Sequence, residues 1–248
     1  MTGTISPALQ MSHLVLRDED ERLKQYEDSI RSLLCSRAFS KVVFCENSNF
    51  GTEGLSYLKD IAGEYGVELE LLSFQGDVEK ACIHGKGFGE GEIMDYVFSH
   101  SELIRTENYF VKLTGRLKVD NIKAIVSRMK RQRTYFNIPN RTIRDFYDTR
   151  IYGMSIRQFK DYFLDSYDRV MDAQGIFLEM VYTQILHDCN IKVHNFPRYP
   201  RIVGVSGSGG VEYGYTEWKC KIKDILSFAN FYTIKNNIYK RTCRSIVI

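Results

Sequence analysis

The sequence predicts an α/β fold, a mostly parallel sheet flanked by helices with an irregular C-terminal region, and three observations carry that expectation. Residues 41 to 71 read as strand, helix, strand, the crossover unit of parallel sheets. Tyr109-Phe110-Val111-Lys112-Leu113 adds another aromatic and β-branched run after an intervening helical segment. Of 248 residues, 44% are hydrophobic, 13% aromatic, 26% charged and four are proline. That composition suits a soluble packed core and excludes disordered, collagen-like and disulfide-stapled chains. No repeat, low-complexity tract or linker divides the chain, so residues 1–248 read as one domain.

In order, Leu23, Tyr26, Ile30 and Leu33 recur at helical spacing and predict a helix near 19–35. Lys41-Val42-Val43-Phe44-Cys45 predicts a buried strand delivering the polar loop Glu46-Asn47-Ser48-Asn49. A helix is expected over Gly54–Tyr65, with Leu55, Leu58, Ile61 and Ala62 on one face, then the alternating strand Val67–Leu71. The glycine-rich run Gly85–Gly91 reads as a loop before a helix over Glu92–Ser101. Beyond the strand at 109–113, a helix is expected over Ile122–Arg133. Ser155-x-x-Gln158 is a capping-box pattern opening a stripe of Ile156, Phe159, Phe163, Tyr167 and Val170. Another helix is expected over Gln174–His187. Asn195–Tyr215, rich in glycine with Pro197 and Pro200, reads as irregular, with Ser206–Gly210 as either a lid over substrate or a plain connecting loop.

Thirty-four basic against 31 acidic residues give a net charge of +3, too near balance for a general polyanion binder, so any basic site is local. The six cysteines form no Cys-x-x-Cys pair and read as buried thiols. Met1–Gln10 lacks the basic and apolar runs of a signal peptide, and no segment approaches the ~20 apolar residues of a membrane span. Reduced thiols without an export signal point to the cytoplasm. Lys235, Lys240, Arg241 and Arg244, among apolar residues of the tail, suit either a solvated basic tail or contact with an anionic membrane.

Several segments carry chemistry. Gly85-Lys86-Gly87-Phe88-Gly89 could bring backbone amides and a lysine to a phosphate, or form a flexible turn. It fits neither the dinucleotide nor the P-loop fingerprint. Lys112-Leu113-Thr114-Gly115-Arg116 ends a strand with a hydroxyl, an open amide and a guanidinium suited to phosphate, or makes a β-turn with an exposed arginine. Asp145 and Asp148 could help hold a divalent cation on a diphosphate, or form a salt-bridged loop. Glu179 lies near a helix start, about 100° round from the apolar face of Leu178, Val181 and Ile185. It reads as a general base or an ordinary boundary glutamate. Arg128–Arg133, followed by Tyr135 and Phe136, is too short to argue for nucleic acid. A solvated helix face or an anchor for small phosphates fits it better.

Arg22-Leu23-Lys24-Gln25-Tyr26, Val42-Val43-Phe44-Cys45-Glu46-Asn47-Ser48, Gly85-Lys86-Gly87-x-Gly89-Glu90 and Phe110-Val111-Lys112-Leu113-Thr114-Gly115-Arg116 occur in that order. Together they resemble bacterial GT-A type glycosyltransferases of lipopolysaccharide, O-antigen or capsule assembly, over roughly residues 13 to 190. The resemblance implies a Rossmann-related GT-A fold, with a nucleotide-sugar-binding part near 13–120 and an acceptor and catalytic part near 121–248. It implies a nucleotide-sugar donor and a saccharide or lipid-linked saccharide acceptor; the basic tail keeps open either a purely cytoplasmic protein or one peripheral on the inner face of the cytoplasmic membrane, and no nucleic-acid partner is expected. Asn47 and Ser48 would contact the nucleotide, and Lys86, Gly87 and Gly89 would lie near the donor. Lys112, Thr114 and Arg116 would flank the diphosphate or sugar, and Glu179 would deprotonate the acceptor. The family's Asp-x-Asp metal motif is missing. Either Asp148 supplies a weaker ligand for Mg²⁺ or Mn²⁺, or Lys86, Arg116 and the basic cluster offset the leaving diphosphate. The alternative of another class is a non-enzymatic nucleotide-sugar or polysaccharide-binding module.

Overall fold

The computed structural model describes residues 1–7, 16, 18–137, 146–205 and 212–228, with side chains to 225. Its elements run β1 (Thr2–Gly3), α1 (Glu19–Ser36), β2 (Lys41–Glu46), α2 (Leu58–Glu64), β3 (Glu68–Ser73), α3 (Val78–His84), α4 (Lys86–His100), α5 (Glu102–Arg105) and β4 (Tyr109–Leu113). There follow β5 (Lys118–Val119), α6 (Ile122–Val126), β6 (Thr134–Asn137), β7 (Asp148–Ser155), α7 (Ile156–Tyr162), α8 (Leu178–Asp188), β8 (Val193–His194), β9 (Ile202–Val205), β10 (Glu212–Tyr213) and α9 (Glu217–Phe228).

The expected strand–helix–strand unit is present: β2 and β3 pair in parallel from Lys41↔Glu68 to Glu46↔Ser73. β1 pairs in parallel with the end of β2, and Thr2 also bridges in parallel to Thr114 just past β4. β4 pairs antiparallel with β7, β7 antiparallel with β6, and β6 parallel with β8. Read across, the order is β3-β2-β1-β4-β7-β6-β8, with β7 alone running against the rest. The sheet is therefore mostly parallel in a mixed α/β fold. β5, β9 and β10 make a separate antiparallel sheet.

α1 forms where its stripe predicts. Asp18 caps it by accepting from the Glu21 amide at 2.8 Å, and Tyr26, Ile30, Leu33 and Leu34 enter the core. One core cluster joins these residues to Val42, Phe44, Leu113, Ile122, Ile151 and Ile202, drawing on both halves of the chain. A second packs Phe98, Phe110, Phe136, Tyr152, Phe159 and Tyr182 on the opposite layer.

The largest correction concerns the glycine run, which is helical. α3 ends at Gly85, whose φ of +104° favours glycine, and α4 begins at Lys86. Its glycines serve packing: a Cβ on Gly91 would overlap Tyr167, and one on Gly87 would meet Leu178 at 2.9 Å. Close approach outweighs glycine's helix cost of about 1 kcal/mol each.

The helix expected over Gly54–Tyr65 splits into a 3-10 turn at Glu53–Leu55 and the shorter α2, since neither Thr52 nor Tyr57 provides a side-chain cap. α6 stops at Val126 rather than Arg133, and the Lys130 amide instead donates to the Tyr135 hydroxyl at 3.0 Å. Ser155 caps α7 through the Gln158 amide, but the Gln158 side chain accepts from Thr134 instead of closing the box. The helical stripe breaks at Asp165, in the left-handed region, so Tyr167 falls in a 3-10 turn and Val170 just beyond it. α8 starts at Leu178, after Gly175 takes a φ of +75°. The segment read as irregular supplies β9 and β10. Ser206–Gly210, Asp145 and the basic tail lie outside the described residues. The thiols are not uniformly buried: Cys45 and Cys220 are, Cys35 and Cys189 are exposed, and Cys82 is intermediate. No described helix is long and apolar enough to cross a membrane.

Candidate functional site

The chain winds from β1 outward to β3, then returns to place β4 on the other side of β1. In open α/β sheets such a reversal marks the carboxyl ends of the strands, here β1 and β4, as the place where ligands bind. Thr4, Asn47 and Ser48 follow β1 and β2 at that end. The Thr4 hydroxyl donates to Asn47 Oδ1 at 2.6 Å, and Asn47 Nδ2 to the Gly89 carbonyl at 3.4 Å. Ser48 Oγ donates to Glu46 at 2.5 Å and accepts from the Ile5 and Ser6 amides. The buried Glu46 also accepts from the amides of Ser48 and Phe50 and from Ser73 Oγ. The hydrogen-bonding groups of Asn47 and Ser48 that were expected to meet a nucleotide thus have protein partners and shape the loop.

Gly87 and Gly89 do not cradle a ligand with loop amides, because both are inside α4. Lys86 opens the first turn of α4, near Arg116 and Arg22, and its amide donates to Asp172 Oδ2 at 2.9 Å. Burial lowers its pKa and the neighbouring Arg116 and Arg22 lower it further, while Asp172 opposes them. Three cations therefore share one region. Arg22 is buried and holds the Thr4, Ile5 and Leu16 carbonyls, a structural commitment. Arg116, partly exposed, makes one described side-chain bond, to Gln25 Oε1 at 3.1 Å.

Beside them lies a chain of polar contacts that sequence reasoning found only in part. Lys112, 2% exposed, pairs with Glu90 at 2.5 Å and donates to Thr114 Oγ1 at 3.0 Å and the Thr149 carbonyl at 2.9 Å. The Thr149 hydroxyl in turn donates to Glu179 Oε1 at 3.0 Å. Lys112 is thus a buried organiser of the site and no direct phosphate ligand. Burial raises the Glu179 pKa, with Glu90 and Asp148 adding to the rise and its own backbone amide and Thr149 opposing it. A carboxylate in that position is a stronger base than one in water. The buried phenols of Tyr152 and Tyr182 stand nearby, both pushed up by burial and by Glu90.

Glu90 and Thr149 were missed. Read at helical period, Lys86 and Glu90 fall one turn apart on one face, a signal that a loop reading of the glycine run hides.

Asp148 does not suit a cation. Arg150 engages both its oxygens, at 2.5–3.1 Å, and Asn137 also donates to it. Among the described residues no group of three His, Cys, Asp or Glu is placed to hold a metal. The basic cluster is at the wrong end of the sheet: Tyr109, which opens β4, bonds to the Arg133 carbonyl, and Thr114 and Arg116 follow the other end of that strand.

The fold is a mixed α/β one whose sheet order reverses at β1 and β4, and Lys86, Arg22 and Arg116 stand near one another at that end. No protein-family model matches the chain, and no protein of curated function does. A solved structure similar to it is the nucleoside-diphosphate-sugar pyrophosphorylase from Vibrio cholerae RC9. It is 10% identical with a TM-score of 0.45, covering 69% of this chain and 78% of that one. That likeness is too distant to carry a functional argument.

Proposed function

We propose that this chain is a GT-A type glycosyltransferase that binds a nucleotide sugar at the carboxyl ends of β1 and β4. It passes the sugar to a saccharide or lipid-linked saccharide of surface-polysaccharide assembly, in the cytoplasm at the inner face of the membrane. The observation that supports this best is one polar chain: Glu179, made more basic by burial, accepts from the Thr149 hydroxyl, the Thr149 carbonyl accepts from Lys112, and Lys112 bonds to Thr114, two residues before Arg116, which stands near Lys86.

In this reading Glu179 takes the proton of an acceptor hydroxyl while that oxygen bonds to the anomeric carbon. The bond from that carbon to the diphosphate breaks, its electron pair leaves on the diphosphate, and the configuration inverts. Lys86 and Arg116 stabilise the departing anion more than the ground state, which is where electrostatic catalysis gains most. Lys112 and Glu90 hold Thr114 and Thr149 in place. No step runs through a divalent cation, since Asp148 is already bonded to Arg150 and Asn137.

A thermal-shift screen against UDP-, GDP-, dTDP- and CMP-sugars, each with Mg²⁺, Mn²⁺ or EDTA, tests the reading. At 100-fold over Kd, one donor class should raise Tm by roughly 5–10 °C. Arg116→Ala should need about tenfold more of it for the same shift. Indifference to all four classes would sink the proposal.

A further inference from the structure

Helix α9 turns its apolar stripe outward. Trp218, Ile222 and Ile225 recur at i, i+4 and i+7, and they are 60%, 50% and 67% exposed. The buried positions, Cys220 and Asp224, fall on the other side of the helix. There Asp224 accepts from the Tyr199 amide at 2.6 Å and from Arg201 at 3.2 Å, with Arg198 at 3.6 Å, and Arg201 also pairs with Glu217 at 2.8 Å. Polar contacts thus hold α9 to the rest of the protein, and its large apolar side chains are left in water, where their exposure is unfavourable.

Charge on the helix is divided in the same way. Both of its carboxylates, Glu217 and Asp224, are engaged by Arg198 and Arg201, whereas Lys219, Lys221 and Lys223 enter no ion pair among the described residues. At about 100° per residue, Lys219 and Lys221 flank the apolar stripe on its two sides. The Lys219 ammonium lies 5.5 Å from the centre of the Trp218 ring, and that of Lys223 lies over Tyr199 at 3.9 Å.

We propose that this face docks on an anionic lipid bilayer, with α9 in the plane of the interface, Trp218, Ile222 and Ile225 inserted at the acyl boundary, and Lys219 and Lys221 on headgroup phosphates. Charge complementarity selects this occupant. A second copy of the chain would bring two sets of lysines together, and three apolar side chains fall short of the roughly 800 Å² per partner of a stable protein interface. A bilayer admits single side chains, and its anionic headgroups match the lysines. The docked face is also tied to the candidate site. Arg201 joins α9 to the start of β9, where a Cβ on Gly204 would meet the Arg116 carbonyl at 3.0 Å. The inference deepens the membrane location in the proposed function but stands on α9 alone, and its test contains no nucleotide sugar, so either can fail without the other.

Trp218 is the single tryptophan of the chain, so its fluorescence reads docking directly. The full chain is mixed with vesicles of phosphatidylcholine and phosphatidylglycerol in equal parts, or of phosphatidylcholine alone. With the anionic vesicles Trp218 emission is expected to shift to the blue, acrylamide quenching to fall at least about twofold, and flotation to show binding at least about tenfold tighter than to phosphatidylcholine. Trp218→Ser, Ile222→Ser and Ile225→Ser combined should weaken flotation at least about tenfold. Lys219→Gln with Lys221→Gln should remove most of the preference for anionic lipid. If the triple variant fails to fold, Ile222→Ser with Ile225→Ser is read in the same way. Unshifted Trp218 emission would overturn the proposal. So would flotation unchanged in the serine variants, which would assign lipid contact to another surface, or protection of Trp218 that rises with protein concentration in the absence of lipid, which would assign the face to a second copy.

Discussion

At the scale of single residues, Glu179 shows how a site can oppose folding. Its pKa is raised in the folded chain, so the folded state binds that proton more tightly than the unfolded state does. Its contribution to stability is complete below the ordinary carboxylate value of 4.5 and is lost as pH rises through the higher folded value. Glu179→Gln removes the charge and can still accept the Thr149 hydroxyl. The variant is expected to melt above the unsubstituted chain at pH 7, with the difference closing below about pH 4.5. It should keep the donor-induced thermal shift while transfer and acceptor-free donor hydrolysis fall by about 100-fold or more. Unchanged transfer and hydrolysis would remove Glu179 from the role of base, whereas donor binding with no hydrolysis by the unsubstituted chain would point to the non-enzymatic binding module. Glu179 was legible in the sequence because helical period set it beside an apolar face. Glu90 was not, because its partner Lys112 is 22 residues away and meets it only across packed elements.

At the scale of elements, the glycines of α4 carry the clearest lesson. Alternating glycines look like a loop, since local propensity opposes a helix there, and tertiary packing reversed that preference. Tyr167 and Leu178 approach the helix so closely that side chains at 91 and 87 have no room. Gly91→Ala is therefore expected to destabilise the fold by roughly 1–3 kcal/mol through overpacking. Gly63→Ala, in α2 with nothing within 4 Å of its new methyl, should stabilise it by about 0.5–1 kcal/mol. Urea unfolding of the two variants checks both signs, and a stabilised Gly91→Ala would refute the packing account. Similar logic explains two displaced helix ends: α6 stops at Val126, with the Lys130 amide bonded to the Tyr135 hydroxyl beyond it, and α8 starts only after the turn at Gly175, neither of which hydrophobic periodicity registers.

Across the whole molecule, the sheet separates two basic regions by its length. Lys86 and Arg116 lie at the carboxyl ends of the strands, while Arg128–Arg133 flank the opposite end near Tyr109. Replacing Arg128, Lys130, Arg131 and Arg133 together with serine should leave nucleotide-sugar binding within about twofold, because exposed charges more than a Debye length of about 8 Å apart are screened. The same thermal-shift titration measures it, and a tenfold loss would return the cluster to the site. Near-neutral net charge is thus compatible with a local anion site.

The sequence by itself determined the elements whose signals are local: the capped α1 with its apolar stripe, the β2 and β3 pair, β4 with its Thr-Gly-Arg end, and the placement of Glu179. Those follow from side-chain periodicity and capping, which need only near neighbours in the chain. The tertiary structure alone decided that Gly85 joins α3 to α4 with Gly87, Gly89 and Gly91 inside α4, that Asn47 and Ser48 brace a loop, that Asp148 is committed to Arg150, and that Lys112 ties Glu90 to Thr149. These are contacts between residues distant in sequence, and their free energies come from burial and shape that no local pattern encodes.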